Sequence, residues 1–240
     1  AMVGGPGFED AKYNLATQGK RQPGSTYKAV TLMTAINNGY SPNDTISGTS
    51  PCTINAPGFA PWKTSNAEGG GGTSTLFRAT SGSVNCSFAR LNAAVGPSNT
   101  AEMAEDLGVT HEVPPYLSIT LGTDETTPLD MTTVYNTISN GGVRHNPVFV
   151  TKVVGLDGEV LFEEKYQGTR VVDDQVAYTV TEMLRGVVTG GTGTGARVPG
   201  HDVVGKTGTT DNYGDAWFCG MTMKYTSCVR MGDPAARTPM

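Results

Sequence analysis

Residues 21–33 read RQPGSTYKAVTLM. Pro23-Gly24 closes a polar stretch, and from Ser25 the apolar residues change spacing. Tyr27, Val30, Leu32, Met33, Ala35 and Ile36 predict an amphipathic helix. Asn38-Gly39 stops it in the usual way. Ser25 and Lys28 stand three positions apart, which makes them neighbours on one helical face. At the helix start, free N–H groups and the helix dipole favour developing negative charge on Ser25. A lysine held out of water nearby has a depressed pKa and can act as a base. No other serine in the chain has a lysine three positions on. Serine is also an ordinary N-cap, so this pair alone leaves a structural reading open.

Working outward, residues 40–73 read as one long loop: SPND, GTSPC, NAPGFAPW and GGGG. A loop of that length in a folded domain is usually functional or mobile. Thr75 to Thr80 predicts a short helix, broken at Ser81-Gly82. A second helix carries Phe88, Leu91 and Val95 on one stripe. Asn99 and Glu102 suggest a capping box for a helix ending at Gly108. In TPLDMTTVYNTISNGG, Met131, Val134, Tyr135 and Ile138 hold helical spacing. VFVTKVVGLDGEVLFEE alternates around Asp157-Gly158 and predicts a β-hairpin. Val176, Val180, Met183, Leu184 and Val187 mark a last helix, followed by a Gly/Thr-rich loop at 190–196. Short strands are expected near 202–210, 215–220 and 225–231. Helices in the middle and strands at the end indicate an α+β fold.

Composition excludes several functions. The 240 residues carry a net charge of −5, and no basic run exceeds Lys20-Arg21. Nucleic-acid binding is disfavoured. No apolar run approaches the roughly 18 residues of a membrane span, and no signal peptide is visible. The opening AMVGG reads as the end of a strand, so the chain is expected to be a piece of something longer. Cys52, Cys86, Cys219 and Cys228 form no CxxC pair, and His111, His145 and His201 are far apart. No metal site is expected. Four cysteines fit two disulfides or four buried thiols.

Two further constellations carry chemistry. Ser83-Val84-Asn85 sits at a helix break, where a hydroxyl and an amide can bond a substrate. A plain turn explains it equally well, and Ser41-Pro42-Asn43 is a decoy of the same form. Lys206-Thr207-Gly208-Thr209-Thr210 lies on a predicted strand. Glycine in an edge strand admits another backbone, so a peptide can add there while Lys206 and the threonines bind a carboxylate. The glycines of 190–196 do not follow a strand or end in Gly-Lys-Ser/Thr, which argues against phosphate binding.

Together the three form the S-x-x-K, S-x-N and K-T-G set of serine β-lactamases and penicillin-binding proteins, in the same order. RQPGSTYK, SVNCSFARLNAAVG, LGTDETTPLDMTTVYNTISNGG and GGTGTGARVPGHDVVGKTGTTDNYGDAWFCGMT resemble the transpeptidase domain of class A, bifunctional penicillin-binding proteins. The resemblance covers nearly the whole chain. It implies a serine DD-peptidase/β-lactamase-like fold: an antiparallel five-stranded sheet flanked by helices, plus an all-helical subdomain. The α/β part would take about residues 1–35 and 197–240, and the mainly helical part about 36–196.

The resemblance implies roles. Ser25 would be the acylated nucleophile, Lys28 its base, Ser83 the relay to the leaving amine, and Lys206 the group orienting Ser83. Asn85 would hold the substrate amide. Thr207, Gly208 and Thr209 would form the edge that binds the terminal carboxylate. The backbone N–H groups of Ser25 and Thr209 would form an oxyanion hole. Trp62 and Asn66, in PWKTSN, loosely match a W-x-P-x-N pattern that would place them on the acceptor side; a packed tryptophan explains Trp62 as well. The substrates would be peptidoglycan stem peptides ending in D-Ala–D-Ala, with β-lactams as covalent ligands and no cofactor. A glycosyltransferase domain and membrane anchor would lie upstream, placing the domain on the extracytoplasmic face of the bacterial membrane. An exported protein favours disulfides, and Cys219 with Cys228 and Cys52 with Cys86 are the pairs implied.

Three rivals remain. A class A β-lactamase needs a glutamate in E-x-x-L-N to activate water, but Leu91-Asn92 is preceded by Phe88 at that position. A D,D-carboxypeptidase would pass the acyl group to water. A penicillin-sensing domain would keep the motifs without turnover. The chain also departs from the family where Met223 replaces a proline and Arg230 a tryptophan.

Overall fold

The segment after Pro23 divides in two: a 3-10 turn at Gly24–Tyr27 and helix α1, Lys28–Asn37. Ser25 therefore lies in a tight turn, one element before the α-helix it was expected to open. Helix α1 is buried on every side, from Lys28 to Ile36. It is the central helix of the fold, packed against helices on several faces, and its expected polar face meets protein instead of water. The computed structural model describes residues 12–67 and 71–233, with Met2, Glu9, Ala236, Thr238 and Pro239. The expected strand end in AMVGG falls almost wholly outside them.

In its described residues, the presumed loop 40–73 holds more regular structure than its sequence suggests. Strand β1 (Thr45–Ser47) and β2 (Cys52–Ile54) precede β3 (Trp62–Thr64) and β4 (Thr73–Thr75). They pair antiparallel as β1 with β4 and β2 with β3. Three-residue strands are too short to show alternation. The cysteine bridge Cys52–Cys86 fastens β2 to the next helical layer.

Helices α2 (Leu76–Ser81), α3 (Asn85–Val95) and α4 (Pro97–Leu107) follow. The Thr75 side chain caps α2 by accepting from the Arg78 N–H. The capping box expected at Asn99 and Glu102 does not form. Helix α4 starts earlier, with Pro97 in its first turn, where a missing N–H costs nothing. Asn99 instead donates from Nδ2 to the Val95 carbonyl, 2.7 Å. Helix α5 (Pro128–Ser139) has the box that α4 lacks, between Thr127 and Asp130.

Strands β5 (Val143–Arg144), β6 (Lys152–Val154), β7 (Val160–Glu163) and β8 (Thr169–Arg170) come next. The hairpin β6–β7 turns at Asp157-Gly158 as predicted. Helix α6 (Asp174–Gly190) leads to β9 (Val204–Thr209), β10 (Asp215–Met221) and β11 (Thr226–Gly232). These three form one antiparallel sheet in the order β11-β10-β9. The resemblance implied five strands; no other strand joins this sheet among the described residues.

One hydrophobic core joins α1, α3, α4, α5 and α6 to the sheet face carrying Val204, Trp217, Cys219 and Met221. A smaller cluster holds Cys52, Ile54, Cys86, Ala89 and Leu117, with Trp62 packed on it. Cys219 and Cys228 are register partners on β10 and β11 and are bridged. Arg230, the departure from the family pattern, is half-buried on β11. Its Nε donates to Oδ1 of the buried Asp215, 2.7 Å.

Candidate active site

Three glycines bring the Ser25 turn, a neighbouring turn and strand β9 together. Gly24 has φ +57°, and a Cβ there would lie 2.7 Å from the Thr209 carbonyl oxygen. A Cβ on Gly208 would lie 2.4 Å from the Pro23 carbonyl oxygen. A Cβ on Gly122, φ +70°, would lie 2.3 Å from the Gly24 carbonyl oxygen. Real Cβ atoms do not approach this closely, so only glycine permits the packing. Tyr135 holds the turn from the core side, donating to the Thr26 carbonyl at 2.8 Å. Ser25 itself is half-buried.

Ser83 sits at the break between α2 and α3 with φ +53°. A non-glycine residue in that region is strained and persists only when its surroundings hold it. Two lysines supply that hold. Lys28 Nζ donates to the Ser83 carbonyl (2.6 Å), approaches Ser83 Oγ (3.1 Å) and donates to Asn85 Oδ1 (2.7 Å). Lys206 Nζ lies 2.8 Å from Ser83 Oγ and 3.1 Å from the Thr207 carbonyl. Lys28 of S-x-x-K and Lys206 of K-T-G thus converge on the hydroxyl of Ser83 in S-x-N.

Both lysine side chains are fully buried, at 1% and 0% exposure. Burial, and then the positive charge of Lys206, holds the Lys28 amine well below its ordinary range. Burial pushes Lys206 down to about 7. The Phe88 ring lies under Lys28, with Nζ 5.4 Å from its centroid.

Ser25 and Lys28 are not hydrogen-bonded among the described residues. Lys28 spends its contacts on Ser83 and Asn85, which the helical spacing of Ser25 and Lys28 could not reveal. The Asn85 amide is also engaged at its other end, where Nδ2 donates to the Ser65 carbonyl at 3.0 Å. Thr207 is half-buried and Thr209 exposed beside it on β9. Gly208 serves the close approach to Pro23.

Trp62 and Asn66 both make contacts within the protein. Trp62 pairs with Ile54 in the β2–β3 ladder and packs on the smaller core cluster. Asn66 Nδ2 donates to the Gly48 carbonyl (2.9 Å), and its Oδ1 accepts from the Cys86 N–H (2.9 Å). It ties the loop to the first turn of α3. Sequence reasoning missed Thr192, whose hydroxyl lies 2.6 Å from that of Thr207. It also missed Gly122. A sharp turn in LGTD was the only local signal for the glycine, and nothing local marks Thr192. Among the described residues no group of three or more His, Cys, Asp or Glu could hold a metal ion.

Residues 1–230 match the family model described as the penicillin binding protein transpeptidase domain. The chain is 34% identical over 233 residues to penicillin-binding protein 1A of Aquifex aeolicus (strain VF5), covering 97% of this chain and 32% of that protein. It therefore spans about a third of the length of that relative. Among solved structures it is similar to the PonA1 protein of Mycobacterium tuberculosis in complex with penicillin V. The TM-score there is 0.81 at 29% identity, over 92% of this chain and 62% of the other. It is also similar to the D,D-transpeptidase domain of a peptidoglycan glycosyltransferase from Eggerthella lenta. There the TM-score is 0.77 at 29% identity, over 91% of this chain and 61% of the other.

Proposed function

We propose, from the premise that this chain belongs to the penicillin binding protein transpeptidase domain family, that it cross-links peptidoglycan stem peptides through an acyl-enzyme on Ser25. The observation that carries this reading is the convergence of two buried lysines on Ser83, with Lys28 one helical turn from Ser25.

Burial lowers the Lys28 pKa and so favours the neutral amine that a base requires. A neutral amine has two N–H groups and one lone pair. The Ser83 carbonyl and Asn85 Oδ1, its two shortest contacts, take the two N–H groups. The lone pair is left to accept a proton from Ser25. The Ser25 oxygen attacks the carbonyl carbon of the penultimate D-Ala, and backbone N–H groups of Ser25 and Thr209 stabilise the oxyanion. The peptide C–N bond breaks. The leaving D-Ala amine takes a proton through Ser83, whose hydroxyl both lysines face. An amine of a second stem peptide then attacks the ester, and Ser25 recovers its proton. Lys206 and the hydroxyls of Thr207 and Thr209 attract the terminal carboxylate, and Asn85 exchanges its Ser65 contact for the substrate amide.

β-Lactams would acylate the same oxygen. The two parts of the domain, about residues 1–35 with 197–240 and about 36–196, would meet at this cleft. An upstream glycosyltransferase domain and a membrane anchor would hold it at the extracytoplasmic face. Among the described residues, no helix is long and apolar enough to cross a membrane.

The test is labelling with a fluorescent penicillin. The wild type should take a persistent label that Ser25→Ala abolishes. A label lost within milliseconds would identify a β-lactamase. Release of D-Ala without amine competition would identify a carboxypeptidase, and labelling without action on a thioester substrate analogue would identify a sensor.

A further inference from the structure

Resting on the reading of this cleft as a penicillin-binding site, we propose that Thr192 is a positioning residue for the carboxylate subsite, acting through the Thr207 hydroxyl. Thr192 Oγ1 lies 2.6 Å from Thr207 Oγ1. Lys206 Nζ is 3.5 Å from the same Thr207 oxygen. That distance is too long to orient a hydroxyl. Thr192 is therefore the group that sets which way the Thr207 O–H points.

A threonine hydroxyl has one proton and two acceptor sites. When Thr192 donates to Thr207, the Thr207 proton is free for an incoming carboxylate. The two bonds then run in one direction and strengthen each other. The loop that carries Thr192 is itself anchored to the other side of the cleft. The Thr192 N–H donates to the Ser81 carbonyl at 3.2 Å, two residues before Ser83. Gly191 packs so tightly on Ser81 that a Cβ would lie 2.1 Å from its carbonyl oxygen. Gly193 closes the same loop through its N–H to the Val187 carbonyl, 2.9 Å. Thr192 is thus held from the Ser83 side and pointed at the β9 side. That placement suits a residue that aligns the carboxylate subsite with the reacting centre.

Stopped-flow acylation tests this with a penicillin bearing its free carboxylate and with the methyl ester of the same penicillin. Thr192→Val should lower the second-order acylation constant for the free acid about 3- to 10-fold, the scale of one hydrogen bond. The loss should fall on pre-acylation binding and leave the first-order acylation step unchanged. The ester should react equally with both proteins, and Thr192→Ser should restore the acid rate. Should Thr192→Val fold poorly, Thr192→Ala, which also removes the hydroxyl, should show the same loss for the acid alone. Equal acid rates in wild type and Thr192→Val would overturn the proposal. So would an equal fall for acid and ester, which marks a general loosening of the loop. If wild type reacts with neither compound, the penicillin-binding reading itself fails and the role of Thr192 with it.

Discussion

Lys28 grips Ser83 at two points, its Nζ lying 2.6 Å from the carbonyl oxygen and 3.1 Å from the hydroxyl. One buried amine thereby fixes both the backbone and the side chain of a residue in a strained conformation. The chemistry of the cleft and the geometry of its wall share the same atoms.

The two lysines should give acylation a bell-shaped pH dependence. Lys28 must be neutral to act as a base, so the rate falls on the acid side as it gains a proton. Lys206 must be charged to attract a carboxylate, so the second-order constant falls on the alkaline side, above about 7. A bound carboxylate favours the charged form, so the alkaline limb should move to higher pH in the first-order acylation constant. Stability follows a related rule. Both folded-state values lie below the ordinary lysine value of 10.5, so the unfolded chain binds more protons between the two. The burden of burying Lys206 is full below about 7 and is relieved as pH rises from there toward 10.5. Lys206→Met should therefore gain stability relative to wild type as pH falls from 10 toward 7, measured by denaturant unfolding. A constant difference across that range would contradict the assignment.

Ser83→Ala and Ser83→Gly separate strain from chemistry. Both remove the hydroxyl, and acylation should fall about 10²-fold or more in each. Only glycine relieves the left-handed backbone at φ +53°. The glycine variant should be more stable than the alanine variant by about 1 kcal/mol. Equal melting temperatures would show that the backbone there is unstrained.

Gly24→Ala tests the close packing of the Ser25 turn. The new methyl would meet the Thr209 carbonyl at 2.7 Å in a left-handed conformation. Strand β9 and the turn must then part. Misplacement on the order of 1 Å costs about 10²-fold in rate, so penicillin labelling should slow by that order while the protein stays folded. Normal labelling by a folded Gly24→Ala protein would contradict the proposed oxyanion hole.

Removing the two disulfides should have unequal effects. Cys52–Cys86 closes 34 residues and Cys219–Cys228 closes 9. Chain entropy alone assigns about 4 and about 3 kcal/mol to them. Cys52→Ser with Cys86→Ser should therefore lower the melting temperature more than Cys219→Ser with Cys228→Ser. Because Asn66 also ties the loop to Cys86, penicillin labelling should survive loss of the first bridge. Loss of labelling would give the bridge a direct part in holding Asn85.

Much of this molecule was legible along the chain. The three motifs, the six helices and the terminal strands each depend on neighbours within a few residues. Val134 and Ile138 reveal a helix because side chains four apart share a face. Asp157-Gly158 reveals a hairpin because few other pairs make that turn. The three motifs were legible as residue types in order, and of the residues they carry the structure brings Lys28, Ser83, Asn85 and Lys206 into contact. Tertiary structure decided what each of them touches. Lys28 donates to Ser83, 55 residues away, because a buried amine must satisfy its donors wherever acceptors lie. Asn66 bonds the Cys86 N–H because the free N–H groups at the start of α3 need acceptors, a partner that no local pattern marks. The three-residue strands of 40–73 are held by pairing and a disulfide, and short strands leave no periodic trace. Thr192 found Thr207 only when α6 and β9 packed together. Local physics wrote the elements and the motif order; burial and long-range hydrogen bonding chose the partners.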